Sequence, residues 1–170
     1  AILQLPESHL DMVRPGVLFY GVSPAQELLP LPWPVKQAMR WSTRVVFFKV
    51  VQAGSPVSYG STWAPQDWTR VITLPVGYGD GYMRAMSGKA QVLLGGKRAP
   101  VVGRICMDQI MVDIERGSAW NGDEAVLLGE ADGGAIAVEE LARWAGTIPH
   151  EILTSINTRV PRTYVGRAGA

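Results

Sequence analysis

Short runs of β-branched, aliphatic and aromatic residues recur from residue 43 to residue 128, and each run ends at a turn signal. Gly54-Ser55-Pro56, Gly95-Gly96 and Asn121-Gly122 are three of these signals. Such runs favour short β-strands, because branched and aromatic side chains fit a pleated surface. The predicted strands cover residues 45–51, 57–59, 69–76, 90–94, 98–102, 110–114 and 125–128. Their even spacing predicts a mainly β fold, an antiparallel β-barrel or sandwich.

Two helical patterns follow the strands, so one or two short helices are expected near the C-terminus. In the first pattern, apolar residues recur at helical spacing, acidic residues occupy the first turn, and Gly146 can end the helix. The apolar positions are Val138, Leu141, Ala142 and Ala145. The second helix is predicted over residues 149–156, with Pro149 at its N-terminal edge.

The first 42 residues differ from the rest. Residues 10–21 are apolar except for Asp11 and Arg14, which predicts a buried strand with a turn at Pro15-Gly16. Four prolines in the next stretch exclude regular helix and indicate a linker; they are Pro24, Pro30, Pro32 and Pro34. We therefore divide the chain into a remnant of an upstream domain (1–22), a linker (23–42) and a β-domain (43–170). The start of the chain resembles the tail of an element, so we expect a fragment.

Charge and hydropathy exclude several classes of function. The chain has sixteen basic and fifteen acidic residues and a net charge of +1. It lacks the basic excess that binding to nucleic acid needs, so no nucleic-acid partner is expected. The longest apolar stretches, such as 45–48, are broken by Lys49 and fall far short of the roughly 20 residues that span a bilayer. No membrane partner is therefore expected.

Cysteine and histidine are scarce. Cys106 is the only cysteine, and no signal-peptide pattern opens the sequence, so a reducing cytoplasm is the expected compartment. His9 and His150 are the only histidines. They are too few for a histidine-rich metal site and make a hydrolytic triad improbable.

Residues 77–81, Gly-Tyr-Gly-Asp-Gly, lack the spacing of a dinucleotide-binding loop. Alone they favour a tight turn whose glycines take positive φ.

In order along the chain, however, five motifs resemble the alanine racemase family. They are Asp-Met-Val-Arg-Pro-Gly at 11–16, Val-Ser-Tyr-Gly at 57–60, the loop at 77–81, Val-Gly-Arg-Ile-Cys-Met-Asp-Gln at 102–109 and Arg-Val-Pro-Arg at 159–162. The resemblance covers residues 10 to 165.

This resemblance implies a chain that is the C-terminal half of a larger enzyme. In the family, an N-terminal (β/α)₈ barrel holds pyridoxal phosphate on a lysine, and the β-domain of a neighbouring subunit closes the site. The end of the last barrel strand would then lie around Arg14, and the cofactor lysine would lie upstream of Ala1. The four lysines at 36, 49, 89 and 97 do not match the family's lysine motif and are interpreted as surface charges.

The resemblance also implies roles for particular residues. Racemisation needs bases on both sides of the α-carbon, and Tyr59 corresponds to one of them. The backbone N–H of Met107 corresponds to the group that receives the substrate carboxylate. Arg14 corresponds to the arginine that faces the pyridine nitrogen, and the amides of Gly16 and Val17 to groups near the cofactor phosphate. From the residues alone, a Tyr59 packed in a strand and an Arg14 paired with Asp11 remain open.

His150 occupies the position where the family commonly has a tyrosine bound to the cofactor phosphate. Imidazole can also donate to phosphate, so His150 is kept as a cofactor contact. Five further residues correspond to the entrance of the family's active site, although surface ion pairs would equally explain the charged ones. They are Tyr78, Arg84, Arg104, Asp108 and Ile148. Arg14 and His150 would serve their own subunit's site, and Tyr59 and Met107 the partner's.

The expected function is therefore interconversion of L- and D-alanine by a pyridoxal-phosphate-dependent homodimer, with this chain inactive alone. A racemase for serine or a basic amino acid would share these motifs. A related decarboxylase is less favoured, because no Cys-Asp-Gly motif is present. A non-catalytic β-module for assembly is the alternative of another class, since several of the six tryptophans lie near turns and could form an interface.

Overall fold

The structure is a computed structural model that describes residues 2, 4–24 and 35–166. Its strands are β1 (Trp41–Arg44), β2 (Phe47–Val51), β3 (Thr69–Leu74), β4 (Gln91–Leu94), β5 (Lys97–Val102), β6 (Ile110–Asp113), β7 (Glu124–Ala131) and β8 (Gly134–Ile136). Its α-helices are α1 (Val138–Ala145) and α2 (Pro149–Ser155). The mainly β prediction, with two short helices near the C-terminus, is confirmed.

The strands form one antiparallel sheet that curls on itself. Its order is β1-β7-β4-β5-β6-β3-β2, with β8 also paired to β7. The two outer strands, β1 and β2, are joined by only Val45 and Val46. Three peptide steps reach at most about 11 Å, whereas the outer strands of a flat seven-stranded sheet lie about 29 Å apart. The sheet must therefore bend round, as in the predicted barrel.

The inside of the curled sheet holds the main core. Side chains of β3, β6 and β7 are fully buried there; those of β6 alternate with the two-residue period of a strand, whereas β7 is buried over residues 125–129 without a break. They include Ile72, Leu74, Ile110, Val112, Leu127 and Leu128. Burying each such aliphatic side chain contributes about 1.5 to 3 kcal/mol. The core thus fixes the strands whose ends carry the loops described below.

Helix α1 closes the core, and its termini agree with the sequence pattern. Val138, Leu141 and Ala142 are buried. At the other end Gly146 adopts a left-handed φ of 75° and its N–H donates to the Ala142 and Arg143 carbonyls. The Glu140 carboxylate accepts two hydrogen bonds from the Arg98 guanidinium of β5. The helix is therefore held to the sheet by both packing and charge.

The strand predicted over residues 10–21 is wrong. Leu10 is 89% exposed and Met12 is exposed as well, and the chain instead forms a 3₁₀ turn at Gly16–Tyr20. Among residues 10–21 of the described chain, Val17 alone belongs to the core, and Val22 follows directly after this stretch. A strand buried on both faces needs neighbouring strands, and none of the described strands pairs with it.

The structure describes the region around the predicted start of the β-domain. Strand β1 begins at Trp41, two residues before the predicted start of the β-domain. Most of the proline-rich segment, residues 25–34, lies outside the described residues. Within the described ranges, no helix is long and apolar enough to cross a membrane.

Candidate active site

Three of the five motifs meet in one place, although they are far apart in sequence. We name this place the three-loop site; it consists of residues 57–61, 77–81 and 103–109. The N–H of Tyr78 donates to the Cys106 carbonyl over 3.0 Å, and the N–H of Gly79 to the Met107 carbonyl over 2.9 Å. The Ser58 Oγ donates to the Arg104 carbonyl over 2.7 Å. Each loop is thus hydrogen-bonded directly to the loop that carries Met107.

The glycines of residues 77–81 allow close approach more than they provide unusual backbone angles. A Cβ at Gly77 would lie 2.2 Å from the Cys106 carbonyl oxygen, and one at Gly79 would lie 3.0 Å from that of Met107. Gly77 has an extended φ of −158°. Only Gly81 of these three takes a positive φ, 101°. The predicted positive φ is therefore wrong for Gly77 and Gly79.

Tyr59 stands out from the core on a short turn. It begins the 3₁₀ turn Tyr59–Ser61 and is 72% exposed, so the alternative of a strand aromatic packed on its neighbours is wrong. Gly60, with φ of 74°, continues the turn. A Cβ on Gly60 would lie 3.3 Å from the Arg104 Nε, which places a guanidinium beside this turn.

Met107 lies at the tip of a tight turn. The Cys106 N–H donates to the Gln109 carbonyl over 3.0 Å and closes the turn, and the Met107 side chain is half exposed. The Met107 carbonyl is used by Gly79, but its N–H has no hydrogen-bond acceptor among the described residues. An amide at a loop tip that lacks an acceptor can receive a carboxylate.

An ion-pair bridge joins the loop of residues 77–81 to the loop that carries Met107. The sequence did not reveal this bridge. The Asp80 carboxylate is buried and accepts from the Gly77 N–H at 2.9 Å and from the Arg159 Nε at 3.0 Å. The Arg159 Nη2 also donates to the Asp108 Oδ1 at 2.5 Å, and this hydrogen bond raises the pKa of the guanidinium. Arg159 is the first residue of the last of the five motifs, and this position was the one sequence feature that pointed to it. No role was assigned to Arg159 from the sequence.

The predicted entrance residues lie around this site or on elements bonded to it. Tyr78 and Asp108 belong to its loops and are exposed. Arg84 is exposed, and its carbonyl accepts from the Ser87 Oγ, which in turn accepts from the Ile105 N–H. Ile148 precedes α2 and is exposed; the far end of α2 contacts the loops where the Ser155 Oγ donates to the Gly81 carbonyl.

The four predicted cofactor contacts form a separate set, which we call the cofactor-side residues: Arg14, Gly16, Val17 and His150. Arg14, Gly16 and His150 are exposed, whereas the Val17 side chain is buried in the core. Nothing lies within 4 Å of a Cβ built on Gly16, so its backbone is open on that side. Within the described ranges, no hydrogen bond or ion pair joins this set to the three-loop site, and Arg14 forms no ion pair with Asp11.

Comparison with known proteins identifies the family of this chain. The family model described as alanine racemase, C-terminal domain, matches residues 38–164 of the chain. The chain belongs to the alanine racemase family. The resemblance inferred from the five motifs is thereby confirmed.

Several alanine racemases resemble the chain over almost all of its length. The enzyme of Desulfovibrio desulfuricans is 49% identical, over 97% of this chain and 44% of that protein. The enzyme of Carboxydothermus hydrogenoformans is 46% identical, over 97% and 45%. Among solved structures, the alanine racemase of Streptomyces coelicolor A3(2) superposes with a TM-score of 0.91 at 42% identity, covering 97% of this chain and 43% of that one.

The chain spans less than half the length of these alanine racemases. Because the aligned region covers 97% of the chain, it includes Arg14 as well as the three-loop site. The match to the family model begins at residue 38 and does not include Arg14. The alignment with whole alanine racemases therefore extends the match to residues 14–17.

Proposed function

We propose that the chain is the C-terminal portion of a pyridoxal-phosphate-dependent alanine racemase, which interconverts L- and D-alanine as a homodimer. One observation carries the proposal. An exposed phenol, that of Tyr59, and a loop-tip amide without an acceptor among the described residues, that of Met107, lie on loops joined by a direct hydrogen bond. A racemase of this kind needs both a base and a group that holds the carboxylate.

The residues of this chain have distinct tasks in the proposed reaction. The Met107 N–H holds the substrate carboxylate and so fixes which atom of the substrate faces the base. The Tyr59 phenol takes the α-proton from one face of the substrate, or returns one to that face. The Arg159 guanidinium keeps the two loops together by binding Asp80 and Asp108 at once.

The chemical character of the cofactor-side residues fits pyridoxal phosphate. A guanidinium at Arg14, an imidazole at His150 and the open backbone of Gly16, next to Val17, suit a ring nitrogen and a phosphate. When bound, the cofactor supplies an electron sink that makes the α-proton of an amino acid acidic. The Arg14 guanidinium contains no acceptor atom and keeps its own protons. A ring nitrogen that faces it therefore stays unprotonated.

In the proposed homodimer each active site is shared. The three-loop site serves the partner's cofactor, and Arg14 and His150 serve the cofactor of their own subunit. The second base is a lysine outside this chain. We therefore expect the chain alone to be inactive, and the full-length protein to work in the cytoplasm on alanine.

The test is substitution of Tyr59 by Phe in the full-length protein. Removing a positioned acid–base group typically costs about 10² to 10⁴ in rate, so Tyr59→Phe should lose at least about a hundredfold in alanine racemisation. Tyr164→Phe is the matched control, because Tyr164 is an exposed phenol near the end of the chain. Racemisation is followed by polarimetry, with serine and lysine offered beside alanine. Full activity of Tyr59→Phe would remove the proposed base.

A further inference from the structure

Ser58, the residue before Tyr59, has a backbone conformation that almost only glycine adopts. Its φ is 69° and its ψ is 178°. In that region a Cβ is crowded by the neighbouring peptide groups, and non-glycine residues occur there chiefly where surrounding structure enforces it. The two neighbours of Ser58 differ in burial, since Val57 is buried whereas Tyr59 is mostly exposed. The unusual angles of Ser58 thus bring the Tyr59 phenol out of the fold.

The surroundings of Ser58 enforce this conformation. Its Oγ donates to the Arg104 carbonyl over 2.7 Å and lies 3.7 Å from the Cys106 Sγ. A Cβ at Gly103 would lie 2.7 Å from both the Ser58 Cβ and the Val57 carbonyl oxygen. Gly103 itself has a left-handed φ of 67°. Ser58 is therefore fitted against residues 103–106, the start of the loop that carries Met107.

We propose that Ser58 is a positioning residue, which fixes the Tyr59 phenol relative to the Met107 amide. This inference rests on the proposed function. Ser58 is covalently joined to the proposed base, and its hydrogen bond ends three residues before the proposed carboxylate-binding amide. It is the one side chain of residues 57–61 whose hydroxyl bonds to the Met107 loop within the described residues. Loss of this hydroxyl frees the turn of Tyr59 to move while Met107 stays in place.

Two variants of the full-length enzyme separate the hydrogen bond from the backbone conformation. Ser58→Ala removes the hydroxyl and keeps a Cβ in the crowded region. Ser58→Gly also removes the hydroxyl, but glycine adopts these angles freely, so the fold should survive. We expect both variants to lose about 10- to 100-fold in kcat, the scale of a base displaced by about 1 Å, with a smaller change in KM. Asp132→Ala is the control, because Asp132 also has a left-handed φ, 49°, but lies in the β7–β8 turn.

The deciding measurement is the primary isotope effect with L- and with D-alanine deuterated at the α-carbon. In a two-base racemase each enantiomer gives its proton to a different base. A misplaced Tyr59 slows one transfer, so the isotope effect should rise for one enantiomer and not for the other. Unchanged isotope effects in Ser58→Gly, or an equal rise for both enantiomers, would overturn the inference. If Tyr59→Phe has lost activity at the same time, the proposed function stands and only the role of Ser58 fails.

Discussion

The backbone of Gly77 passes so close to the Cys106–Met107 peptide that no side chain fits between them. A Cβ there would lie 2.2 Å and 2.4 Å from the two carbonyl oxygens, which are backbone atoms and cannot swing aside. We expect Gly77→Ala to destabilise the chain by about 1 to 3 kcal/mol, as overpacking does. Because φ at Gly77 is extended, alanine adds no backbone strain, and the whole cost arises from this contact.

Urea unfolding of the chain measures this cost. Gly166→Ala is the control, since nothing lies within 4 Å of a Cβ at Gly166 and its φ is outside the left-handed region. Equal unfolding midpoints for Gly77→Ala and Gly166→Ala would show that the Met107 loop yields easily to the glycine loop. That result would contradict a rigid three-loop site.

At the scale of residues, sequence motifs located the site but did not reveal what supports it. The motifs single out Tyr59, Tyr78 and Met107, and the structure brings their loops together. The supporting contacts of Ser58 and Arg159 join residues 46 to 79 positions apart. Such contacts depend on the tertiary fold, and a single sequence has no local pattern that encodes them.

Strand β1 is held to β7 by one arginine as well as by its backbone. The Arg40 guanidinium, just before β1, binds both oxygens of Glu124, at 2.9 and 2.7 Å, and its Nε donates to the Glu130 carbonyl. The hydrogen bonds that Glu124 accepts from Arg40, with a further one from Ser42, lower the pKa of Glu124 from 4.5 to about 2. Both side chains are more than 40% exposed, so solvent screening limits the pair to about 1 kcal/mol or less.

The lowered pKa of Glu124 sets the direction of a pH effect. A carboxyl that is more acidic in the folded state stabilises the fold above its unfolded value, here about 4.5, and loses that contribution as the pH falls to about 2. Glu124→Gln should therefore cost up to about 1 kcal/mol at neutral pH and only a small part of that at pH 2, where the folded-state carboxyl is half protonated. Urea unfolding at both pH values checks this expectation.

Glu130→Gln provides the control in the same strand, since its carboxylate forms no ion pair within the described ranges. A stability loss for Glu124→Gln that is the same at both pH values would contradict the electrostatic account. It would instead indicate that the amide disturbs the packing of β1 on β7.

Elements with strong internal patterns were predictable, and those without them were not. Strands β3 to β6 and helix α1 begin or end within two residues of their predicted limits. Strand β1 was missed because Trp-Ser-Thr-Arg has no apolar alternation, and β8 because it is three residues long. The strand predicted for residues 10–21 was wrong because an apolar run alone does not specify which partners it packs against.

At the scale of the whole molecule, the predicted site residues fall into two sets on different elements. The three-loop site lies on the connections between strands, whereas the cofactor-side residues lie beside the 3₁₀ turn Gly16–Tyr20 and on α2. Within the described ranges no hydrogen bond or ion pair joins the two sets. The proposed homodimer assigns the two sets to different active sites, so it requires no direct bond between them.

Mixed dimers test the proposed sharing directly. Full-length Tyr59→Phe and full-length Arg14→Glu should each be nearly inactive as homodimers. After both are unfolded together and refolded as an equal mixture, half of the dimers contain one subunit of each kind. If Tyr59 serves the partner's site, each mixed dimer has one site with both residues intact and one with neither. The mixture should then recover about a quarter of the native activity.

The alternative arrangement gives a different number. If each site used Tyr59 and Arg14 of the same subunit, every site in a mixed dimer would have one defect and the mixture would stay inactive. Mixing the two variants without unfolding is the control for contaminating native enzyme, since subunits that do not exchange cannot complement. Recovery near a quarter therefore assigns the phenol of one subunit to the cofactor of the other. An inactive mixture that elutes as dimers on size-exclusion chromatography would overturn that assignment.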